Sequence, residues 1–201
     1  MSQRNPGGWV EVVVGCMFSG KTSELIRRLT RATIARQKVM AFKPKVDTRH
    51  SSDALVSHPG VFEDRREFRA IPVSSSKAIL EMSREAEVVG IDEVQFFDEE
   101  LPDVVERLAR REKRVICAGL DLDFRGQPFG IVPELMARAD QVDKTYAVCM
   151  VCGASATRSQ RIADSDQTVL IGAGAAYQAR CRAHWSDEPV LTRQANRDLE
   201  G

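Results

Sequence analysis

Residues 15–22 read Gly-Cys-Met-Phe-Ser-Gly-Lys-Thr and follow directly on the β-branched run Trp-Val-Glu-Val-Val-Val at residues 9–14. The pattern Gly-x-x-x-x-Gly-Lys-Thr needs a strand before it and a helix after it. Residues 23–36 supply the helix, with Leu25, Ile26 and Leu29 on one face. Gly15 and Gly20 allow backbone angles that turn N–H groups inward, and with the helix N-terminus these form a nest for a β-phosphate. Lys21 reaches the β- and γ-oxygens, and the Thr22 hydroxyl meets Mg²⁺. Gly15, Cys16, Met17, Phe18, Ser19, Gly20, Lys21 and Thr22 are therefore candidate nucleotide-binding residues.

A phosphate loop of this kind works with an acidic residue at the end of a neighbouring strand. Val-Val-Gly-Ile-Asp92-Glu93 supplies one. Asp92 is the expected Mg²⁺ partner. Glu93 points elsewhere and is free to take a proton or orient a nucleophile. The expected cosubstrate is ATP or GTP with Mg²⁺, and these residues alone leave open whether the phosphoryl group is transferred or hydrolysed.

Further strands are expected at 38–42, ended by Pro44, and at 87–91 and 114–118, with a candidate fifth at 142–148. Helices are expected at 76–84 and 101–110. Alternating strands and helices predict an α/β fold, a mostly parallel sheet flanked by helices of the P-loop NTPase type. The polar stretch 44–69 reads as a long irregular loop. The character of the chain changes near residue 147. We expect a nucleotide-binding domain over 1–147, a small metal-binding lid over 148–185 and a loose tail over 186–201.

Lys plus Arg and Asp plus Glu number 29 each, so the chain lacks the cationic excess that coats nucleic acid. No apolar run approaches the roughly 18–20 residues that cross a bilayer. The N-terminus lacks the pattern of a secretory signal. We expect a cytoplasmic protein, in which cysteines serve as metal ligands or plain thiols.

Cys149-x-x-Cys152 and Cys181-x-x-His184 are two such ligand pairs, separated by 28 residues. Each pair can grip one face of a tetrahedral zinc ion, and four protein ligands leave no open position, so the site is structural. Cys16 and Cys117 read as packing residues. His50 and His58 lie in the polar loop and read as solvated. Between the two pairs, Leu-Ile-Gly-Ala-Gly-Ala-Ala-Tyr177 suits a lid over a substrate, or equally a glycine-rich connection with a packed tyrosine.

Taken in order, five blocks resemble the type II thymidine kinases, the cellular and bacterial kind with a zinc-held lasso. They are the phosphate loop, Lys-Pro-x-x-Asp-x-Arg at 43–49, Asp-Glu-x-Gln-Phe-Phe at 92–97, Gly-Leu-Asp-x-x-Phe-x-x-x-Pro-Phe-Gly at 119–130, and the two ligand pairs with Tyr177 between them. The resemblance implies transfer of the ATP γ-phosphoryl to the 5′-hydroxyl of thymidine or deoxyuridine, with Glu93 as the base. It implies that Arg49 and Gln95 join Asp92 in the nucleotide site, and that Asp47 helps order its loop or the metal. It implies a base pocket walled by Met17, Phe96, Leu120, Phe124 and Phe129. The backbone of Leu170, Ile171 and Gly172 would read the pyrimidine edge, and Tyr177 would close over it. Members of this family are usually homotetramers, inhibited by the end product dTTP, so the expected partners are a nucleoside and further copies of the chain, with neither nucleic acid nor membrane.

The chain departs from the family at two positions. Cys16 stands where proline is usual, which puts a thiol beside the phosphate nest and predicts sensitivity to oxidation. Val94 stands where a small residue is usual and predicts a slightly narrower site. Two other readings stay open on the sequence. One is a P-loop motor whose zinc ribbon grips DNA through Arg158, Arg161, Arg180 and Arg182. The other is a nucleotide-binding regulator with no phosphoryl acceptor.

Overall fold

A computed structural model describes residues 7–45, 54–56, 67–162 and 176–188 of the 201-residue chain. Six strands form one sheet: β1 (Trp9–Val14), β2 (Val39–Pro44), β5 (Ile71–Val73), β6 (Val88–Ile91), β7 (Arg114–Gly119) and β8 (Gln141–Lys144). Their order is β5-β2-β6-β7-β1-β8, and every pairing is parallel. Helices α1 (Lys21–Ile34), α2 (Ser76–Met82), α3 (Leu101–Ala109) and α4 (Val132–Arg138) flank it. This is the expected α/β architecture.

The strands are apolar on both faces because both are covered. On one face Leu25, Ile26, Leu29 and Ala32 of α1 pack on Val13, Ala41, Val88, Ile116 and Ala118. On the other, α2, α3 and α4 bring Ile79, Leu101, Val105, Leu108 and Leu135 against Val12, Val14, Phe42, Ile91 and Val115. Glu11 is the exception in β1. It is buried and held by Arg28 of α1 at 2.6 Å and Arg114 of β7 at 2.5 Å.

Several elements differ from expectation. Strand β2 runs through Pro44, which pairs with Val73 of β5. The stretch read as irregular contains a hairpin of β3 (Ala54–Val56) and β4 (Glu67–Arg69), and then β5. Leu55 is buried among the α1 residues, so the hairpin extends the cover of that face. The candidate strand 142–148 is two strands. β8 ends at Lys144, and β9 (Ala147–Val148) pairs instead with β10 (Ser155–Ala156). Thr145, the residue just past β8, donates both its backbone N–H and its hydroxyl to the Val14 carbonyl.

Beyond β9 the chain forms a small lobe. β11 (Arg158–Arg161) pairs antiparallel with β12 (Tyr177–Arg180), and all eight residues are buried. The lobe's apolar core holds Ala147, Cys149, Ala156 and Ala179, and Cys16 of the phosphate loop joins it. The expected piece at 168–171 and most of the tail lie outside the described residues. Among the described residues, no helix is long and apolar enough to cross a membrane.

Candidate active site and metal centre

The phosphate loop leaves the carboxyl end of β1 and is fixed from three sides. Gly15, at φ +152°, sits so close to Thr145 that a Cβ would lie 2.4 Å from its carbonyl oxygen. Ser19 and Thr145 share a hydroxyl hydrogen bond of 2.9 Å. Met17 donates its backbone N–H to Ser159 Oγ of β11 at 3.0 Å. Gly20, at φ +81°, turns the chain into α1. Lys21 folds back and donates to the Cys16 carbonyl at 2.7 Å. Burial pushes its ammonium below the ordinary lysine value, while Glu93, Cys16, Asp92 and Asp121 pull the other way.

Strands β6 and β1 are separated by β7, and the acidic pair emerges at the carboxyl end of β6. Thr22 Oγ1 donates to Asp92 Oδ2 at 3.1 Å. Asp92 is buried, and burial together with the charge of Glu93 pushes its carboxyl up to about 7. A hydroxyl and a carboxylate that lacks solvent thus meet beside the loop, a donor set suited to a hard cation such as Mg²⁺. Glu93 adopts the left-handed conformation, φ 52° and ψ 42°, uncommon for a residue with a side chain. Its N–H donates to Asp92 Oδ1 at 3.0 Å.

The aromatic candidates lie in the segments that follow β6 and β7. Phe96 belongs to the 3₁₀ turn Val94–Phe96, and its ring meets that of Phe129 edge to face at 5.7 Å. Phe124 is buried under the guanidinium of Arg161, 3.7 Å from the ring centre, and Arg161 also donates to the Tyr177 hydroxyl at 2.6 Å. Arg161 therefore joins two of the expected pocket residues. Leu120 and Met17 are half-buried. Gln95 is buried: its amide donates to Glu93 Oε2, and its Oε1 accepts the Leu120 N–H at 3.0 Å. Asp47, Arg49, Leu170, Ile171, Gly172, His50 and His58 lie outside the described residues.

Cys149, Cys152, Cys181 and His184 converge, with their ligand atoms all within 4.8 Å of one another. Metal–sulfur bonds of about 2.3 Å in a tetrahedron give ligand–ligand edges of about 3.8 Å. The Cys152–Cys181 separation is 3.8 Å, Cys149 to His184 Nδ1 is 3.9 Å and Cys181 to His184 Nδ1 is 3.2 Å. The residues present therefore fit a closed four-ligand metal site. Burial works against the Cys149 thiolate, but the backbone N–H groups of Cys181, Cys152 and Val151 outweigh it and hold its pKa to about 6.

Both departures from the family pattern turn inward. Cys16 is 2% exposed and donates to the Ala156 carbonyl at 3.3 Å, and burial raises its thiol pKa. A buried, protonated thiol is a poor target for oxidants, contrary to the expected sensitivity. Val94 is fully buried in the core, and its methyl crowds the Gly119 position, so its bulk goes to packing and not into the site. Cys117 is buried in the core as expected. Three of the four lobe arginines considered for DNA are also buried, and only Arg182 is exposed.

Thr145, Ser159, Asp121 and Trp185 were not expected as site residues, and Arg161 was considered only for the DNA reading. Asp121 is buried, ion-paired with Lys144 at 2.5 Å, and close enough to influence Lys21. Its place in the 119–130 block was a usable signal; Thr145 and Ser159 carry none, because their partners are 126 to 142 residues away. A cleft of about 450 Å³ lined by Gly8, Trp9, Glu106, Arg110, Arg138 and Asp140 lies at the amino end of β1, away from all of these groups.

A family model described as thymidine kinase matches residues 8–185. A thymidine kinase of Coprothermobacter proteolyticus is 54% identical over 183 residues, spanning 88% of this chain and 90% of that one. Among solved structures, the flagellar accessory protein FlaH of Methanocaldococcus jannaschii aligns with a TM-score of 0.47 at 13% identity, covering 69% of this chain and 71% of that one.

Proposed function

The chain belongs to the thymidine kinase family, and on that premise we propose that it transfers the γ-phosphoryl of ATP to the 5′-hydroxyl of thymidine and of deoxyuridine. The observation that carries the reading is the convergence of Lys21, Thr22, Asp92 and Glu93 at the carboxyl ends of β1 and β6.

The loop N–H groups cradle the phosphates. Lys21 leaves the Cys16 carbonyl for the β- and γ-oxygens, where its charge offsets that of the transferring group. Thr22 and Asp92 would hold Mg²⁺, which would supply positive charge against the phosphates; a cation there would also favour the ionised form of the buried Asp92. Glu93, one residue on and turned by its left-handed backbone, accepts the proton of the 5′-hydroxyl as that oxygen attacks. Arg49 adds charge to the phosphate side. Phe96, Leu120, Phe124, Phe129 and Met17 wall the base, with Tyr177 over it. The backbone at Leu170, Ile171 and Gly172 reads its edge.

The four-ligand cluster holds zinc, which supports the small lobe and takes no part in chemistry. The remaining properties follow the family: a cytoplasmic homotetramer restrained by dTTP. The burial of Arg158, Arg161 and Arg180 speaks against the DNA-gripping motor. Incubation with ATP, Mg²⁺ and a panel of nucleosides, read by mass, tests the reading. A monophosphate of thymidine is expected; ATP hydrolysis with no phosphorylated nucleoside overturns it.

A further inference from the structure

Gln95 stands in the acidic block, where the resemblance counts it among the nucleotide-binding residues. Its surroundings give it another task. The side chain is 5% exposed, and both ends of its amide are engaged. The Nε2 donates to Glu93 Oε2, and the Oε1 accepts the backbone N–H of Leu120 at 3.0 Å. Leu120 is the first residue past β7, the strand lying between the phosphate-loop strand and the acidic strand. The amide therefore spans from the end of one strand to the end of the next.

The space around it is reserved. A Cβ on Gly119 would lie 2.7 Å from Gln95 Oε1 and 2.6 Å from a Val94 methyl, so glycine there lets the amide reach the Leu120 N–H. At the other end, Glu93 is set by its left-handed backbone and by its N–H bond to Asp92. Backbone geometry fixes where the Glu93 side chain starts. A flexible two-carbon side chain still has several rotamers, and a hydrogen bond to its carboxylate selects among them.

We infer that Gln95 is a positioning residue for Glu93: anchored on the Leu120 backbone, its amide holds the Glu93 carboxylate in the orientation that accepts the 5′-hydroxyl proton. The inference rests on the reading of Glu93 as the base. A general base must lie within hydrogen-bond reach of its proton, and a misplacement of about 1 Å can cost on the order of a hundredfold. With both ends of its amide engaged inside the protein, Gln95 has no group left for the nucleotide on this proposal, so its loss should lower turnover and leave substrate binding intact.

The test is steady-state kinetics of Gln95→Met, which keeps length and loses the donor, beside Glu93→Gln and the double variant. The expected result is a kcat lower by roughly ten- to a hundredfold, with KM for ATP and for thymidine within a few-fold of wild type. The double variant falls no further than Glu93→Gln alone, because the amide acts only through that carboxylate. Gln95→Glu keeps shape and the Leu120 acceptor but cannot donate as a carboxylate; it decides the matter if Gln95→Met does not fold, and the same loss of kcat is expected. A raised KM for ATP at unchanged kcat places Gln95 on the nucleotide and overturns the proposal, as does a loss that multiplies that of Glu93→Gln. Should Glu93→Gln itself keep wild-type turnover, the base assignment fails; should it be inactive while both Gln95 variants turn over normally, only the positioning proposal fails.

Discussion

Trp185 donates its indole N–H to the Phe124 carbonyl at 3.2 Å, and its ring covers Gly126 so closely that a Cβ there would lie 2.7 Å from it. Trp185 is the residue after His184, the fourth member of the metal cluster. The cluster is thereby linked to the segment that carries Phe124 and Phe129. One zinc per chain is expected by metal analysis. Cys149→Ser or exhaustive chelation should loosen Trp185 and raise KM for thymidine roughly tenfold, the order for loss of a well-packed contact, with KM for ATP less affected. Trp185 fluorescence should report the loosening directly. Purified reduced protein without zinc, or with a Cys149–Cys152 disulfide, would contradict this.

Lys21→Ala and Glu93→Gln should both abolish useful activity by different routes. Lys21 supplies charge to the transferring group, so its loss weakens both ATP binding and turnover. Glu93→Gln is nearly isosteric, so both substrates should still bind by calorimetry while kcat falls by about 10² to 10⁴, the usual worth of a general base. Turnover within a few-fold of wild type would remove Glu93 from that role.

The central sheet was legible in the sequence because its strands are short β-branched runs buried on both faces, and periodicity reports burial. What escaped was decided by distant partners. The hairpin of β3 and β4 has three residues per strand, and Leu55, buried against α1, is too short a signal to mark it. Helix α4 is seven residues long with Pro133 in its first turn, too short to show a helical period. The split between β8 and β9 rests on β9 pairing with β10 instead of with the sheet, and nothing local announces it. The phosphate loop, the acidic pair and the metal ligands were legible because their chemistry demands fixed spacings. Arg161 was not, since a charged residue on a short strand reads as surface; only the fold shows it between Phe124 and Tyr177.

Glu11 invites a stability test. It is 4% exposed and accepts from Arg28 and Arg114, while Arg28 also reaches Glu24 at 2.7 Å and Asp143 at 2.8 Å. Glu11→Ala leaves two guanidinium groups short of a buried partner. Removing one member of a buried pair costs about 3–5 kcal/mol, so Tm should fall by roughly 6–20 °C for a chain of this size. Glu24, at the edge of the network, is held down to about 2 from 4.5, chiefly by the hydrogen bond from Arg27, against burial, with Arg28 adding to it. A depressed carboxyl stabilises the fold fully above its unfolded value and loses that contribution as pH falls through its folded value. The stability gap between wild type and Glu24→Gln should therefore shrink as pH is lowered from 4.5 towards 2.

Cys16 offers a test of the contact between the phosphate loop and the small lobe. With the thiol buried and its pKa raised, native protein exposed to iodoacetamide should leave Cys16 unlabelled, as read by peptide mass, and keep its activity. Unfolding in guanidinium should expose it to complete labelling. Rapid native labelling of Cys16 with loss of activity would show that the lobe lifts away from the loop.

The last prediction concerns which base the pocket accepts. Thymine and uracil present an acceptor at O4 and a donor at N3; cytosine presents an amino donor and a bare N3 acceptor, the reverse pattern. A side-chain amide could flip to suit either, but three amides among the described residues of this region already have partners. Gln95 bonds Glu93 and Leu120. Gln160 donates to the Glu188 carbonyl at 2.9 Å and accepts the Ser186 N–H at 2.7 Å. Gln178 accepts from Arg180 at 2.6 Å. Backbone groups cannot exchange donor for acceptor, and on the proposed reading those of Leu170, Ile171 and Gly172 meet the edge. A site built for one pattern leaves buried groups unpaired with the other, at about 1–3 kcal/mol for each. Deoxycytidine and the purine deoxynucleosides should therefore be disfavoured against thymidine by at least about a hundredfold in kcat/KM, with deoxyuridine accepted. The measurement is kcat/KM for each nucleoside at fixed ATP and Mg²⁺. Comparable values for deoxycytidine and thymidine would refute backbone readout while leaving the kinase assignment in place.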